Sequence, residues 1–164
     1  FYGVVLLQRS TNRRAVATAR TIKGRTAGPE AVEWFRRWET AAADPAFLST
    51  LCNFRPKIAP HLKLLVTHTL QAEGLLPSEF LLRSSYPFQS EGKIDPWVAG
   101  LVGSSNGILT GREIYQELKV QEAISSEMKE EEFAGVLRLL ISAGFLELAE
   151  FPLPERSFSA RKPM

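Results

Sequence analysis

Two histidines, one cysteine and a glycine-rich segment are the residues whose types and spacing could do chemistry. His61 and His68 are seven residues apart, which is about 10 Å along a straight helix, too far for both to bind one zinc ion. Cys52 has no basic neighbour that would lower its pKa, so a core thiol is predicted rather than a nucleophile. The segment GLVGSSNG lacks the lysine that follows the glycines of a phosphate-binding loop.

No nucleophile elbow and no zinc-binding signature occurs elsewhere in the sequence. Serine, histidine and acidic residues are present, but such combinations can be drawn from any chain of 164 residues. We therefore expect a protein that is not an enzyme, with no catalytic residues, no cofactor and no metal site.

Composition and charge describe a globular chain with an uneven charge distribution. Hydrophobic residues make up 45% and charged residues 23%, so a packed core is expected. No apolar run approaches the roughly 18 residues that span a bilayer, and no membrane association is predicted. The lone cysteine favours a reducing intracellular setting, nuclear or cytoplasmic. The chain begins at Phe1 rather than Met, which suggests a processed form or an excised domain.

Basic residues are concentrated in the first third of the chain. Residues 1–64 contain 11 Lys and Arg against 4 Asp and Glu, whereas the remainder is acidic. Trp34, Phe35 and Trp38 also lie beside Arg36 and Arg37. This mixture is found on single-stranded nucleic-acid platforms but is more typical of a helix that buries its aromatics. Nucleic-acid binding through this region is therefore one alternative function. Its candidate residues are Arg9, Arg13, Arg14, Arg20, Lys23, Arg25, Arg36 and Arg37, with Arg55 and Lys57 as further candidates.

The first half of the chain is predicted to contain one strand and several helices. Residues 1–9, FYGVVLLQR, are typical of a buried strand, and the basic stretch that follows is either an arm or a solvated linker. A helix is predicted from Pro29, a short one after Asp44, and another over HLKLLVTHTLQAEG that ends at Gly74. PSEFLLRS is either a short helix or a strand, and a boundary is placed near residues 86–93. The helix predicted over HLKLLVTHTLQAEG would direct inward Leu62, Leu65, Val66 and Leu70.

The sequence of the second half of the chain predicts three helices and a strand. Asp95 and Pro96 suit the start of the first helix, and the spacing of Thr110 and Glu113 predicts a capping box at the second. Ser125 or Ser126 would cap the third helix, which ends at Gly144. FLELAE then alternates as a strand does, and SFSA could return as a second strand after a proline-rich turn. The core face of the third helix is predicted to contain Phe133, Val136, Leu137, Leu140 and Ile141.

Residues 93–160 resemble the winged-helix superfamily. The resemblance rests on ILTGREIYQEL, EFAGVLRLLISAGFLEL and the proline turn. The resemblance implies three helices with a terminal hairpin, the architecture shared by DNA binders, RNA binders and scaffolding subunits. The order of amphipathic helix, glycine and apolar stretch is also predicted over residues 62–76, so a tandem pair of winged-helix-like units is one alternative. The predicted fold is mainly α with a small β wing. Its parts are a strand and basic arm (1–28), a helical domain (29–88) and a winged-helix domain (93–160).

The third helix of the predicted winged-helix domain begins with four glutamates among residues 127–132, an unusual start for a helix that reads DNA. Carboxylates suit a helix N-terminus but repel phosphate. We expect the outer face of this helix to contact protein through Glu131, Gly135, Arg138 and Leu139.

The preferred function is therefore a non-catalytic adaptor or structural subunit of an intracellular assembly, with one or more protein partners and an undetermined oligomeric state. A second alternative function is the accessory domain of a larger enzyme, in which residues 1–9 complete a sheet whose other strands lie elsewhere. An exposed hydrophobic sheet edge would favour that alternative.

Overall fold

The computed structural model describes residues 29–72, 74–86 and 89–151. Over these residues the chain forms five α-helices and five strands in two antiparallel sheets. The predicted mainly α fold is therefore wrong, and the protein is a mixture of α and β structure. In chain order the elements are α1 (Pro29–Ala42), α2 (Pro45–Ser49), a 3₁₀ turn (Leu51–Asn53), β1 (Pro56–Ile58), β2 (Lys63–Gln71), β3 (Gly74–Ser84), β4 (Ser90–Ile94), α3 (Pro96–Ser104), α4 (Gly111–Val120), α5 (Glu130–Ser142) and β5 (Leu146–Leu148).

The correction concerns residues 61–74, where the predicted helix is replaced by β2 and the turn into β3. Residues 77–84, predicted as either a short helix or a strand, belong to β3. β2 and β3 pair antiparallel from Lys63 opposite Arg83 to Gln71 opposite Gly74. Leucines three to four residues apart had indicated a helix, but Leu64, Val66 and Leu70 also fit a period of two. Gly74 does not end a helix; its φ of +115° closes the turn between the strands. The strands also remove the tandem alternative, because that alternative required a helix over residues 61–74.

β2, β3 and β4 form a three-stranded sheet whose base packs on the core. β4 pairs only with residues 80–84 of β3, so the rest of the hairpin extends past it. Leu82 at the base is fully buried, and a Cβ on Gly92 beside it would lie 3.9 Å from the ring of Phe145. One end of the sheet is therefore anchored, and the β2–β3 turn lies at the other.

The second sheet joins distant parts of the chain. β1 pairs antiparallel with β5, with Lys57 opposite Glu147. On its other side the amide of Ile58 donates to the carbonyl of Ser105 at 2.9 Å, so β1 also binds the segment after α3. Glu147 is buried, and its carboxylate lies 3.4 Å from the ammonium of Lys57. The polar position in FLELAE is thus inside the protein and paired.

Helices α3, α4 and α5 followed by β5 occur in the predicted order. The capping box at α4 is confirmed, because the Thr110 hydroxyl accepts from the amide of Glu113 and the Glu113 carboxylate accepts from the amide of Thr110 at 2.7 Å. These hydrogen bonds hold the pKa of Glu113 below its usual value. The predicted serine cap of α5 is wrong: the helix begins at Glu130, and the Ser125 hydroxyl instead accepts from the amide of Glu127 in the preceding turn.

The core is shared by elements from both sides of residue 88. Four of the five residues expected on the inner face of α5 are buried, and Val136 is partly buried. The indole of Trp38 donates to the Ser142 hydroxyl at 2.8 Å, which fixes α1 against the end of α5. The division into domains remains a prediction. The strand of residues 1–9, the basic arm and the SFSA strand lie outside the described residues.

Candidate protein-binding surfaces

The first surface is the apolar face of the β2–β3 hairpin, defined by Leu64, Val66, Leu70 and Leu75. Residues that pair across the two strands share a face of the sheet, and these side chains lie on the same face as the buried Leu82. Leu70 and Leu75 nevertheless expose 77% and 68% of their surface, and Leu64 and Val66 are also exposed. The face thus begins in the core and continues, uncovered by any described residue, to the turn.

Charge is confined to the opposite face of the same sheet. Arg83 on β3 donates to Glu91 on β4 at 2.6 Å, and Lys93 forms an ion pair with Glu79. All four side chains alternate with the apolar set along their strands. Among the described residues of the hairpin, the apolar face carries no Asp, Glu, Lys or Arg.

The second surface is the outward face of α5, where the predicted contact residues lie. Glu131, Gly135, Arg138 and Leu139 are all exposed, and their spacing places them along one stripe of the helix. A Cβ on Gly135 would meet nothing within 4 Å. No ion pair within the described ranges involves Glu131 or Arg138. The structure therefore brings the four residues together on one accessible surface.

The other two glutamates at the start of α5 have structural partners. Arg112 of α4 donates to Glu130 through two nitrogen atoms, the shorter distance being 2.8 Å. The Glu132 carboxylate accepts from the amide of Lys129 at 3.0 Å, which satisfies one of the free amides at the helix N-terminus. Of the three glutamates that open α5, Glu131 is thus the one that faces outward without such a role.

A shallow groove of about 310 Å³ lies beside this stripe. It is bounded on one side by α5 and on the other by α2 and the 3₁₀ turn, with Leu48 and Cys52 in its wall. Cys52 is buried, and burial raises the pKa of its thiol to about 11, with Glu130 adding to the effect. A thiol with this pKa is a poor nucleophile at neutral pH, as the sequence predicted.

The aromatic and basic residues of α1 are largely engaged within the protein. Trp34 and Trp38 are buried and stacked with their ring centroids 6.3 Å apart, so neither indole is available to a nucleobase. Arg36 donates to Glu33 through two nitrogens and holds the pKa of that carboxylate below its usual value. The Arg37 guanidinium lies 4.7 Å from the centroid of the Phe151 ring.

The remaining basic candidates are divided between described and undescribed parts of the chain. Arg55 pairs with Glu150 at 3.4 Å, and Lys57 with Glu147. Because Arg55 and Lys57 are paired with carboxylates, they attract phosphate less strongly than unpaired basic side chains would. The arm candidates lie outside the described residues: Arg9, Arg13, Arg14, Arg20, Lys23 and Arg25.

The hairpin surface was missed because the predicted helix placed Leu65, Val66 and Leu70 in a core. Two signals in the sequence could have revealed it. Val66, Thr67 and Thr69 are β-branched residues, which favour strands over helices, and Gly74 stands where a tight hairpin turn needs a positive φ.

No family model matches the chain, and no curated protein gives a significant match. Within the described residues, no helix is long and apolar enough to cross a bilayer. The same residues contain no group of three or more His, Cys, Asp and Glu side chains arranged to hold a metal ion.

Proposed function

We propose that the protein is a non-catalytic adaptor or structural subunit that binds a protein partner in a larger assembly. The observation that carries this proposal is the apolar face of the hairpin. Contiguous exposed leucine and valine side chains on a sheet that projects past its neighbouring strand are typical of a protein contact. A projecting two-stranded hairpin is also marginal in water unless another surface packs on it.

The C-terminal helices supply a second contact in this proposal. The order of α3, α4, α5 and β5 supports a unit of winged-helix type, and the stripe of Glu131, Gly135, Arg138 and Leu139 would be its protein-binding face. A helix that enters DNA normally presents several basic contacts to phosphate. This stripe offers Arg138 beside an outward carboxylate, which favours a polypeptide over a polyanion.

The hairpin contact is tested by site-specific photocrosslinking of the full chain in an extract of its native cells. A photoreactive amino acid replacing Leu75 should capture a defined partner, whereas the same group at Ser85, exposed beyond the end of β3, should not. A charged Leu70→Lys substitution should abolish the Leu75 crosslink by desolvating a lysine at the contact. Equal crosslinking from both positions, or none from either, would contradict the proposal.

The α5 contact is tested separately with Leu139→Glu, which adds a charge to the stripe without touching the core. Partner affinity should fall at least several-fold, and Gln116→Glu on the exposed face of α4 is the matched control. If duplex DNA binds the wild-type chain with steep salt dependence and Leu139→Glu weakens that binding, the stripe serves nucleic acid and the assignment is wrong.

A second candidate function is the accessory domain of a larger enzyme. The observation that favours it is the exposed apolar edge of the sheet at β2, since such an edge can be completed by a strand from another domain. In that case the partner of the hairpin would be the catalytic domain itself. Finding the Leu75 crosslink within one longer polypeptide would distinguish this function from a separate adaptor.

A further inference from the structure

The outer edge of β2 is a long strand edge that is open among the described residues. The strand order is β2–β3–β4, so β2 is bonded to β3 on one side and has no described strand on the other. All nine of its residues, Lys63–Gln71, are exposed. A row of backbone N–H and C=O groups at such an edge is a template for a further strand.

Features that usually protect an edge are present on β3 but not on β2. Pro77 interrupts the part of β3 that extends beyond β4, and the register shifts there between Thr67 and His68. β2 contains no proline, and its one charged residue, Lys63, lies at its end. The chain thus blocks one side of the hairpin and leaves the other able to pair.

The hydrogen bond at the register shift shows which backbone groups face the open edge. The Ser78 hydroxyl on β3 donates to the carbonyl of Thr67 at 3.2 Å, so this carbonyl points towards β3. Carbonyls and amides of successive residues point alternately to the two sides of a strand. The even-numbered residues therefore direct their backbone groups outward. They are Leu64, Val66, His68 and Leu70.

The order of polar and apolar residues along β2 is nearly symmetric about the centre of the strand. KLLVTHTLQ has a polar residue at each end, leucine next to each end and threonine in the middle. Antiparallel pairing of two copies about Thr67 places Leu64 opposite Leu70 and Lys63 opposite Gln71. No like charges then face each other, and the outward-facing backbone groups meet in register.

We propose that β2 pairs with β2 of a second copy of this chain around a two-fold axis through Thr67, forming a six-stranded antiparallel sheet. The inference rests on the proposed protein-binding role of the hairpin and names the partner of its edge. Such pairing adds about eight backbone hydrogen bonds. The two-fold axis places the apolar faces of both hairpins on the same side of the joint sheet, so Leu64 of each copy packs beside Leu70 of the other. Because the contact is two-fold symmetric, it closes with two copies and does not extend to further chains.

A disulfide across the axis tests the register. Thr67 would face its equivalent in a non-hydrogen-bonded pair with a Cα separation of about 4.5 Å, which a disulfide can bridge. Under mild oxidation the full-length Thr67→Cys variant should form a species of twice 18.3 kDa several-fold faster than Leu75→Cys, an exposed hairpin position off the axis. The wild-type chain reports any contribution from the buried Cys52.

A backbone substitution tests the edge itself. His68→Pro removes an outward N–H while leaving the hydrogen bonds towards β3, whereas His68→Ala removes the side chain and keeps the N–H. Sedimentation equilibrium should give a dimer for wild type and His68→Ala. The dissociation constant of His68→Pro should rise at least about tenfold, the factor that a loss of about 1.4 kcal/mol produces. Far-ultraviolet circular dichroism verifies that both variants are folded.

Several outcomes overturn the inference. These are a wild-type chain that stays monomeric at every soluble concentration, a dimer that His68→Pro leaves intact, or equal crosslinking of the two cysteine variants. A monomer that dimerises once residues 1–9 are deleted would assign the edge to that segment instead. A monomer whose Leu75 position still crosslinks a different protein would sink the dimer but leave the adaptor function standing.

Discussion

At the scale of single residues, environment determines roles that residue type alone leaves open. The glutamates that open α5 divide into two that hold the helix in place and one, Glu131, that faces solvent. Sequence reasoning correctly attributed the cluster to the helix N-terminus, because carboxylates suit that end of the dipole. It could not identify Arg112 as a partner, since that contact depends on how α4 packs against α5.

Cys52 gives a prediction that belongs to this scale. With its thiol pKa raised to about 11, the thiolate fraction at pH 7 is on the order of 10⁻⁴. Alkylation of the native protein by iodoacetamide should therefore be slow and should accelerate as pH rises towards 11. The same reagent in denaturant, where the pKa returns to its ordinary value, provides the control. Rapid labelling of the native protein at pH 7 would show that the thiol is accessible and ionised.

At the scale of elements, local signals predicted the capped helices and β5 well and the β2–β3 hairpin poorly. α4 was predictable because Thr110 and Glu113 satisfy its first amides without help from the rest of the chain. β2 was not, because its leucines fit a helix and a strand equally well, and pairing with β3 decided between them. The hairpin surface was lost with that assignment, whereas the α5 stripe follows from helical spacing alone.

Removal of the α4 cap should measurably weaken the fold. Thr110→Ala deletes the hydroxyl that accepts from the Glu113 amide, which typically costs about 1 kcal/mol of unfolding free energy. In a chain of this size the melting temperature should fall by about 2–4 °C. Ser126→Ala, at an exposed serine outside any helix, is the control and should change stability by less than about 0.5 kcal/mol. Equal effects would show that the cap is energetically unimportant.

At the scale of the whole molecule, the core joins segments that lie far apart in the sequence. β1 precedes β5 by about 90 residues and pairs with it, and Trp38 on α1 is tied to Ser142 at the end of α5. No periodicity in the sequence reports such pairings, because they depend on tertiary packing alone. A boundary read from turn-forming residues therefore says nothing about which elements share a core.

This arrangement predicts that residues 93–164 do not fold alone. Without β1 and α1, β5 loses its paired strand and the buried surface of α5 is opened to water. The fragment should show no cooperative thermal transition and should bind a dye specific for exposed apolar surface. Residues 29–164, which retain those partners, are the matched control. Cooperative melting of the short fragment near the control's midpoint would contradict the shared core.

The β1–β5 pairing also sets the order of events during biosynthesis. At roughly 5–20 residues per second, β1 leaves the ribosome about 5–20 s before its partner strand is made. The leucine-rich hairpin emerges within that interval, before the helices that complete the core. A nascent chain in this state is a natural client for a chaperone that shields hydrophobic segments until translation ends.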